Sequence, residues 1–149
     1  MKKNLIILMA TAIVLAAASV ASVHAQDGHT VSVNIPFDFT AGKTNLPAGE
    51  YYVRRIIERA QVGIEIRGKE KSKSVLLLAP QTVRGTNIQN ESKLVFNRYG
   101  DQYFLAQLWI AGRSDGNELT KTARERLLGG ELARRDAKRE TVNVAARAK

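Results

Sequence analysis

Along residues 30–39 apolar and polar side chains alternate with a period of two, Val31, Val33, Ile35, Phe37 and Phe39 falling between Ser32, Asn34, Pro36 and Asp38. Successive side chains of a strand point to opposite faces, so this predicts a strand with one buried face. Pro36 has no N–H to give to a ladder, and the strand is expected to lie at an edge or to bend there. Residues 41–49 are dense in turn formers. A second strand is expected over 50–57, where Tyr51, Val53 and Ile57 share a side that Arg55 interrupts. Residues 58–61 turn the chain into 62–67, where Val62, Ile64 and Ile66 alternate cleanly. A charged loop over 68–73 leads to Val75-Leu76-Leu77-Leu78, a continuous apolar run typical of a strand buried on both faces. A weak strand follows around Thr82-Val83. Residues 93–99 and 102–111 form a hairpin closed by Gly100-Asp101.

The character changes after Gly112. Thr122 and Glu125 have the spacing of a capping box, in which hydroxyl and carboxylate satisfy reciprocal free amides. Leu119, Ala123, Leu127 and Leu128 follow helical spacing, and Gly129-Gly130 should end or break the helix. Residues 131–149 carry little apolar surface and read as a second helix whose last ten or so residues fray. Strands first and helix last make a mainly β fold. The expected form is an antiparallel β-sandwich of about six to seven strands, or a partly open barrel, with a C-terminal α-helical extension.

Ahead of this pattern, Lys2-Lys3 precede an apolar stretch over 5–15, small residues over 16–23, and Val23-His24-Ala25 before polar Gln26-Asp27-Gly28. That is the layout of a signal peptide cut after Ala25. The alternative is a retained anchor, since about 20 apolar residues suffice to span a bilayer. The expected organisation is a signal peptide over 1–25, an antiparallel β-domain over 26–118 and a basic helical tail over 119–149. The product would be periplasmic or secreted, with no stable transmembrane span after cleavage. The 149 residues include no cysteine, which excludes disulfides, thiolate zinc sites, cysteine nucleophiles and a lipid-bearing N-terminal cysteine. An exported chain of this kind must hold itself together by apolar burial.

The formal charge of +9 is unevenly placed. Two positive charges, Lys2 and Lys3, leave with the leader. Residues 121–149 hold nine Lys/Arg against four acids, whereas 26–120 hold twelve against ten. The β-body is therefore close to neutral and carries a basic appendage. Arg124, Arg134, Arg135, Lys138 and Arg139 are the candidate anion-binding residues, suited to an anionic envelope surface such as phospholipid or polysaccharide. A solvated helical face explains the same charges, and nucleic acid is not an expected partner for an exported chain.

Val33-Asn34-Ile35-Pro36-Phe37-Asp38-Phe39, then Leu46-Pro47-Ala48-Gly49-Glu50-Tyr51, then residues 92–100 and Tyr103-Phe104-Leu105 resemble a family of small, uncharacterised exported bacterial proteins. Its members share "IPFDF…LPAGEY" and "KLVF.RYG..YFL..W" motifs, and the likeness covers residues 31–128. The resemblance implies export and a single domain, and it carries over no activity, ligand or catalytic residue. Leu46, Pro47, Ala48 and Gly49 read as a structural turn motif, with φ preset at Pro47 and a positive φ permitted at Gly49.

Catalytic constellations are sparse. Gly42-Lys43-Thr44 lacks the upstream glycine and following helix of a phosphate-binding loop. Asp115-Gly116-Asn117-Glu118 lacks EF-hand spacing and reads as a turn before the helix. His29 has no second histidine near it in the mature chain, so no metal site, cofactor or nucleophile–base pair is assigned. Tyr51, Tyr52, Tyr99, Tyr103, Phe104 and Trp109 form an aromatic set that reads as core before ligand face. Arg54-Arg55, Arg98 and Arg113 offer anion-recognising forks or plain surface charge. The expected function is a non-enzymatic cell-envelope module, structural or binding. The alternatives are an anionic-surface binder acting through the C-terminal helix, and a small carboxylate-based hydrolase, whose pair of acids only the fold could bring together.

Overall fold

A computed structural model describes residues 30–59, 61–70, 74–135 and 138–149. The expected signal peptide and His29 lie outside the described residues. In chain order the elements are β1 (Thr30–Ile35), β2 (Phe39–Ala41), β3 (Thr44–Leu46), β4 (Gly49–Glu58), β5 (Gln61–Gly68) and β6 (Ser74–Leu78). They continue as β7 (Gln81–Arg84), β8 (Ser92–Tyr99), β9 (Gln102–Trp109), β10 (Asp115–Glu118), α1 (Ala123–Arg134) and β11 (Glu140–Ala148).

The strands form one nearly closed, barrel-like sheet, not two packed sheets, and among the described residues they number eleven where six to seven were expected. The order is β3-β2-β9-β8-β11-β1-β4-β5-β6, and β10 joins β9 to β7 as a branch. The two ends of this path approach one another where the β2–β3 turn meets β6. A Cβ at Gly42 would lie 2.6 Å from Leu77 Cδ2. The core fills the interior with Val31, Val33 and Ile35 of β1, Val53 of β4, Ile64 and Ile66 of β5, and Leu94 and Phe96 of β8. Each such side chain contributes about 1.5–3 kcal/mol by leaving water. Phe39 packs edge-on against both Tyr51 and Phe96, at 5.3 and 5.4 Å between ring centroids.

The expected hairpin is present: β8 and β9 pair antiparallel from Lys93↔Trp109 to Tyr99↔Gln102. Gly100, at the first central position of its turn, takes φ +61°, as a type II′ turn requires. Pro36 bends the chain and does not mark an edge, because β1 is paired on both sides, to β11 and β4. β6 is not buried on both faces. It ends the sheet path, Leu77 points inward, and Leu76 and Leu78 are 66% and 65% exposed. Asp115-Gly116-Asn117-Glu118 is a strand, β10, paired on both sides, and not a turn.

The largest departure concerns residues 119–149. The helix runs through Gly129 and Gly130 to Arg134, and Gly129 lies beside the Tyr99 ring, where a Cβ would sit 3.6 Å from Cε1. The two glycines cost the helix roughly 1 kcal/mol each relative to alanine, and the cap at Thr122 and the Glu125 contacts to the sheet hold it regardless. Residues 140–148 are neither helical nor a frayed tail. They form β11, which pairs with Arg98 to Ser92 of β8 on one side and with β1 on the other. Val142 and Val144 are half-buried and Ala146 is buried, a period-two pattern diluted by small residues.

The capping box is half made. Thr122 Oγ1 accepts from the Glu125 N–H at 3.1 Å, but the Glu125 carboxylate turns to the sheet, accepting from Asn97 Nδ2 at 2.7 Å and the Tyr99 hydroxyl at 3.3 Å. Thus α1 is pinned over the outer face of β8. That cover explains why β8 buries residues of both its faces.

Candidate functional site

Tyr52 and Arg54 alternate with Tyr51, Val53 and Arg55 along β4, so the first pair projects outward and the second set inward. On β5, Arg67 stands opposite Tyr52 and Glu65 opposite Arg54. On the other side of β4, Thr30 and Ser32 of β1 face Arg54 and Tyr52. Lys149, just beyond β11, places its ammonium 4.3 Å from the Tyr52 ring centroid. Thr30, Tyr52, Arg54, Glu65, Arg67 and Lys149 wall a groove of about 410 Å³, closed at its far end by Ser92, Ile110 and Ala111. Ser92 is buried there and its hydroxyl accepts from the Ala111 N–H at 2.9 Å, which fixes that end.

The groove carries an excess of positive side chains. Arg54 is neutralised by Glu65, with Nη2 to Oε2 at 2.9 Å and Nε to Oε2 at 3.1 Å. Arg67 and Lys149 also line the groove and have no ion-pair partner among the described residues. Lys149 is held by the face of an aromatic ring, a cation–π contact that leaves its charge uncompensated. The arrangement suits a group bearing negative oxygens, with a planar guanidinium fork on one wall and a point charge on the other.

The five residues expected to bind anions do not converge. Arg124, in the first turn of α1, donates from Nη2 to Gln102 Oε1 at 2.7 Å. Arg139 lies against the Tyr99 hydroxyl beside Glu125. Arg134 and Arg135 at the end of α1, and Lys138 after it, are exposed. Arg134 shares a shallow groove on the outer face of α1 with Arg126 and Leu127, the latter 70% exposed. Among the described residues no helix is long and apolar enough to cross a membrane.

The Leu46, Pro47, Ala48 and Gly49 motif sits at the entry to β4. Gly49 has φ +154°, the Ala48 N–H donates to Asp38 Oδ1 at 2.8 Å, and the Tyr51 hydroxyl donates to the Pro47 carbonyl at 2.6 Å. The aromatic set divides. Tyr51, Tyr99, Phe104 and Trp109 are buried, while half-buried Tyr52 lines the groove and half-buried Tyr103 stacks on Phe37 at 3.9 Å. Arg98 is taken up by Glu140 at 3.1 Å and by the Tyr103 ring, and Arg113 by Asp115 at 2.8 Å. Glu125 is the buried acid among the described residues, and its contacts hold the helix. Comparison with known proteins finds no matching family model, no similar curated protein and no similar solved structure.

Sequence reasoning missed Arg67 and Lys149. The signal for the groove is a pair of outward periodicities, Tyr52/Arg54 and Glu65/Arg67, whose cross-strand register alone shows that they meet. Lys149 was assigned to a helical tail, and only the strand character of β11 brings it beside Tyr52.

Proposed function

We propose that this chain is an exported, non-enzymatic binding module of the cell envelope, periplasmic or secreted once residues 1–25 are removed, and that it takes anionic groups of its surroundings. The observation that carries the reading is the groove in which the side chains of Arg54, Arg67 and Lys149 face a single acidic side chain, Glu65. The leader and the resemblance to small exported bacterial proteins support the compartment. Mass spectrometry of the exported product should give an N-terminus at Gln26, and a product retaining Met1 in the membrane fraction would contradict it.

A second reading places the anionic contact on α1, where exposed Leu127 lies between Arg126 and Arg134 on one helix face. Such a face suits the interfacial layer of a membrane. Co-sedimentation with phosphatidylglycerol vesicles, against phosphatidylcholine alone, and equilibrium binding to a soluble polyuronate separate the two. Loss of binding in Arg67→Glu with retention in Arg134→Glu assigns the contact to the groove, and the reverse assigns it to the helix. Wild-type protein that binds neither probe ends both readings.

A further inference from the structure

Arg55 is the inward-facing arginine of β4, on the same side as buried Tyr51 and Val53, and it reaches across the barrel to β10. Its Nε donates to Asn117 Oδ1 at 2.8 Å. That bond fixes the amide orientation and leaves Asn117 Nδ2 as the free donor. Asn117 is 3% exposed, and Nδ2 has no hydrogen-bond partner among the described residues. A buried donor left without an acceptor is costly, so an acceptor is expected at this position.

The charges around the amide indicate what kind of acceptor. Arg113 and Asp115 flank the strand and pair at 2.8 Å. Burial and then the positive charge of Arg113 push the Arg55 guanidinium below its usual range, and Asp115 only partly opposes this. Two guanidiniums therefore share one carboxylate beside the buried Asn117, with Arg55, Arg113 and Asp115 themselves half open to solvent. Neither terminal amino group of Arg55 hydrogen-bonds any described residue. The Asn117 amide and the Arg55 fork, joined by the Nε–Oδ1 bond, have donors with no acceptor among the described residues, and the local charge is positive.

We infer that the Arg55–Asn117–Arg113 cluster, between β4 and β10, is a binding site for a small oxyanion, a carboxylate or phosphate group, whose oxygens complete the Arg55 fork and the Asn117 amide. The site is distinct from the outer groove, because Arg54 and Arg55 project to opposite faces of β4. It needs a ligand with at least two negative oxygens in one plane or tetrahedron, since a guanidinium fork and a neighbouring amide present their N–H groups side by side.

The test is a titration of the isotopically labelled exported protein with inorganic phosphate and, separately, acetate, at constant ionic strength. The readouts are the Asn117 side-chain amide and the Arg55 Nε–H resonances in two-dimensional NMR. A saturable shift of both is expected. A response to phosphate alone names a phosphate ligand, and one to acetate alone a carboxylate. Arg55→Gln should weaken the response about tenfold or more, one tenfold step being about 1.4 kcal/mol, while Arg54→Gln leaves it unchanged. Asn117→Asp puts a carboxylate against the Arg55 guanidinium in place of the amide, so it should abolish the Arg55 response. The inference is overturned if neither anion shifts the two resonances, the mark of an amide bonded to water only. Equal weakening by Arg54→Gln and Arg55→Gln, or an Asn117→Asp variant that still responds, overturns it as well.

Discussion

Asn97 Nδ2 donates to Glu125 Oε1 at 2.7 Å, joining the outer face of β8 to the first turn of α1 with both residues buried. The helix has little else to hold it. Glu125 is its buried residue, Leu128 and Leu132 are half-buried and Leu127 is exposed. Because the carboxylate also accepts from the Tyr99 hydroxyl, one acid organises two donors of the sheet.

Replacing that acid should therefore act on the helix first. Glu125→Ala leaves the Asn97 amide and the Tyr99 hydroxyl buried without their acceptor, at a cost of about 1–3 kcal/mol. Glu125→Gln keeps a carbonyl oxygen for Asn97 and should cost clearly less. Urea denaturation gives the stabilities, and limited proteolysis reports release of α1. Equal stability of the Ala and Gln variants would show that the bond is not what pins the helix.

The buried phenols set an alkaline limit on stability. Burial, reinforced by the negative charge of Asp38, raises the Tyr51 phenol above its ordinary value near 10. Burial and then Glu125 raise that of Tyr99, against a smaller opposite pull from Arg139. A folded-state value above the unfolded one means that the native state holds its proton more tightly. The resulting stability is fully present below pH 10 and is lost as pH rises through the folded value. The urea midpoint should be flat from pH 8 to about 10 and fall above it. The double variant Tyr51→Phe/Tyr99→Phe should fall less steeply, and an unchanged slope would place the alkaline loss elsewhere.

Two glycines should respond differently to the same change. At Gly116 a Cβ would stand 2.6 Å from Trp109 Cδ2, in a ring buried by β9 and unable to yield. Gly116→Ala should cost about 1–3 kcal/mol by overpacking and move the Trp109 fluorescence. At Gly100 nothing lies within 4 Å, so Gly100→Ala pays only for the left-handed φ of +61°, about 1–2 kcal/mol, with Trp109 emission unchanged. An unmoved emission in Gly116→Ala would contradict the packing described for Trp109.

The strands with strong β-branched or aromatic alternation, β1, β5 and the β8–β9 hairpin, were legible because their local preference and their burial agree. β10 and β11 were not. Asp115-Gly116-Asn117-Glu118 has the composition of a turn and becomes a strand only because β7 and β9 offer ladders on both sides. In β11 alanines occupy positions where larger apolar residues would announce a strand, and arginines add helical preference. Strand content is local and shows in the chain, whereas closure into a barrel-like sheet depends on which strand lies beside which. For the same reason the groove could not be read from the chain. Its basic residues come from β4, β5 and the end of β11, far apart in sequence.

The position of β11 changes what the basic C-terminal region can be. A chain ending at Arg139 would lose the strand that lies between β8 and β1, leaving both with unpaired edges and exposing the interior around Val33 and Leu94. Such a truncation should fail to give dispersed amide resonances or a cooperative unfolding transition. Charge reversal at Arg134 and Arg135 touches exposed side chains at the end of α1, and it should move the unfolding midpoint by no more than about 0.5 kcal/mol equivalent. Surface binding through this region must therefore be tested by substitution, because truncation removes the fold together with the charge. A folded, cooperative protein lacking residues 140–149 would show that the strand is dispensable and return the segment to the status of an appendage.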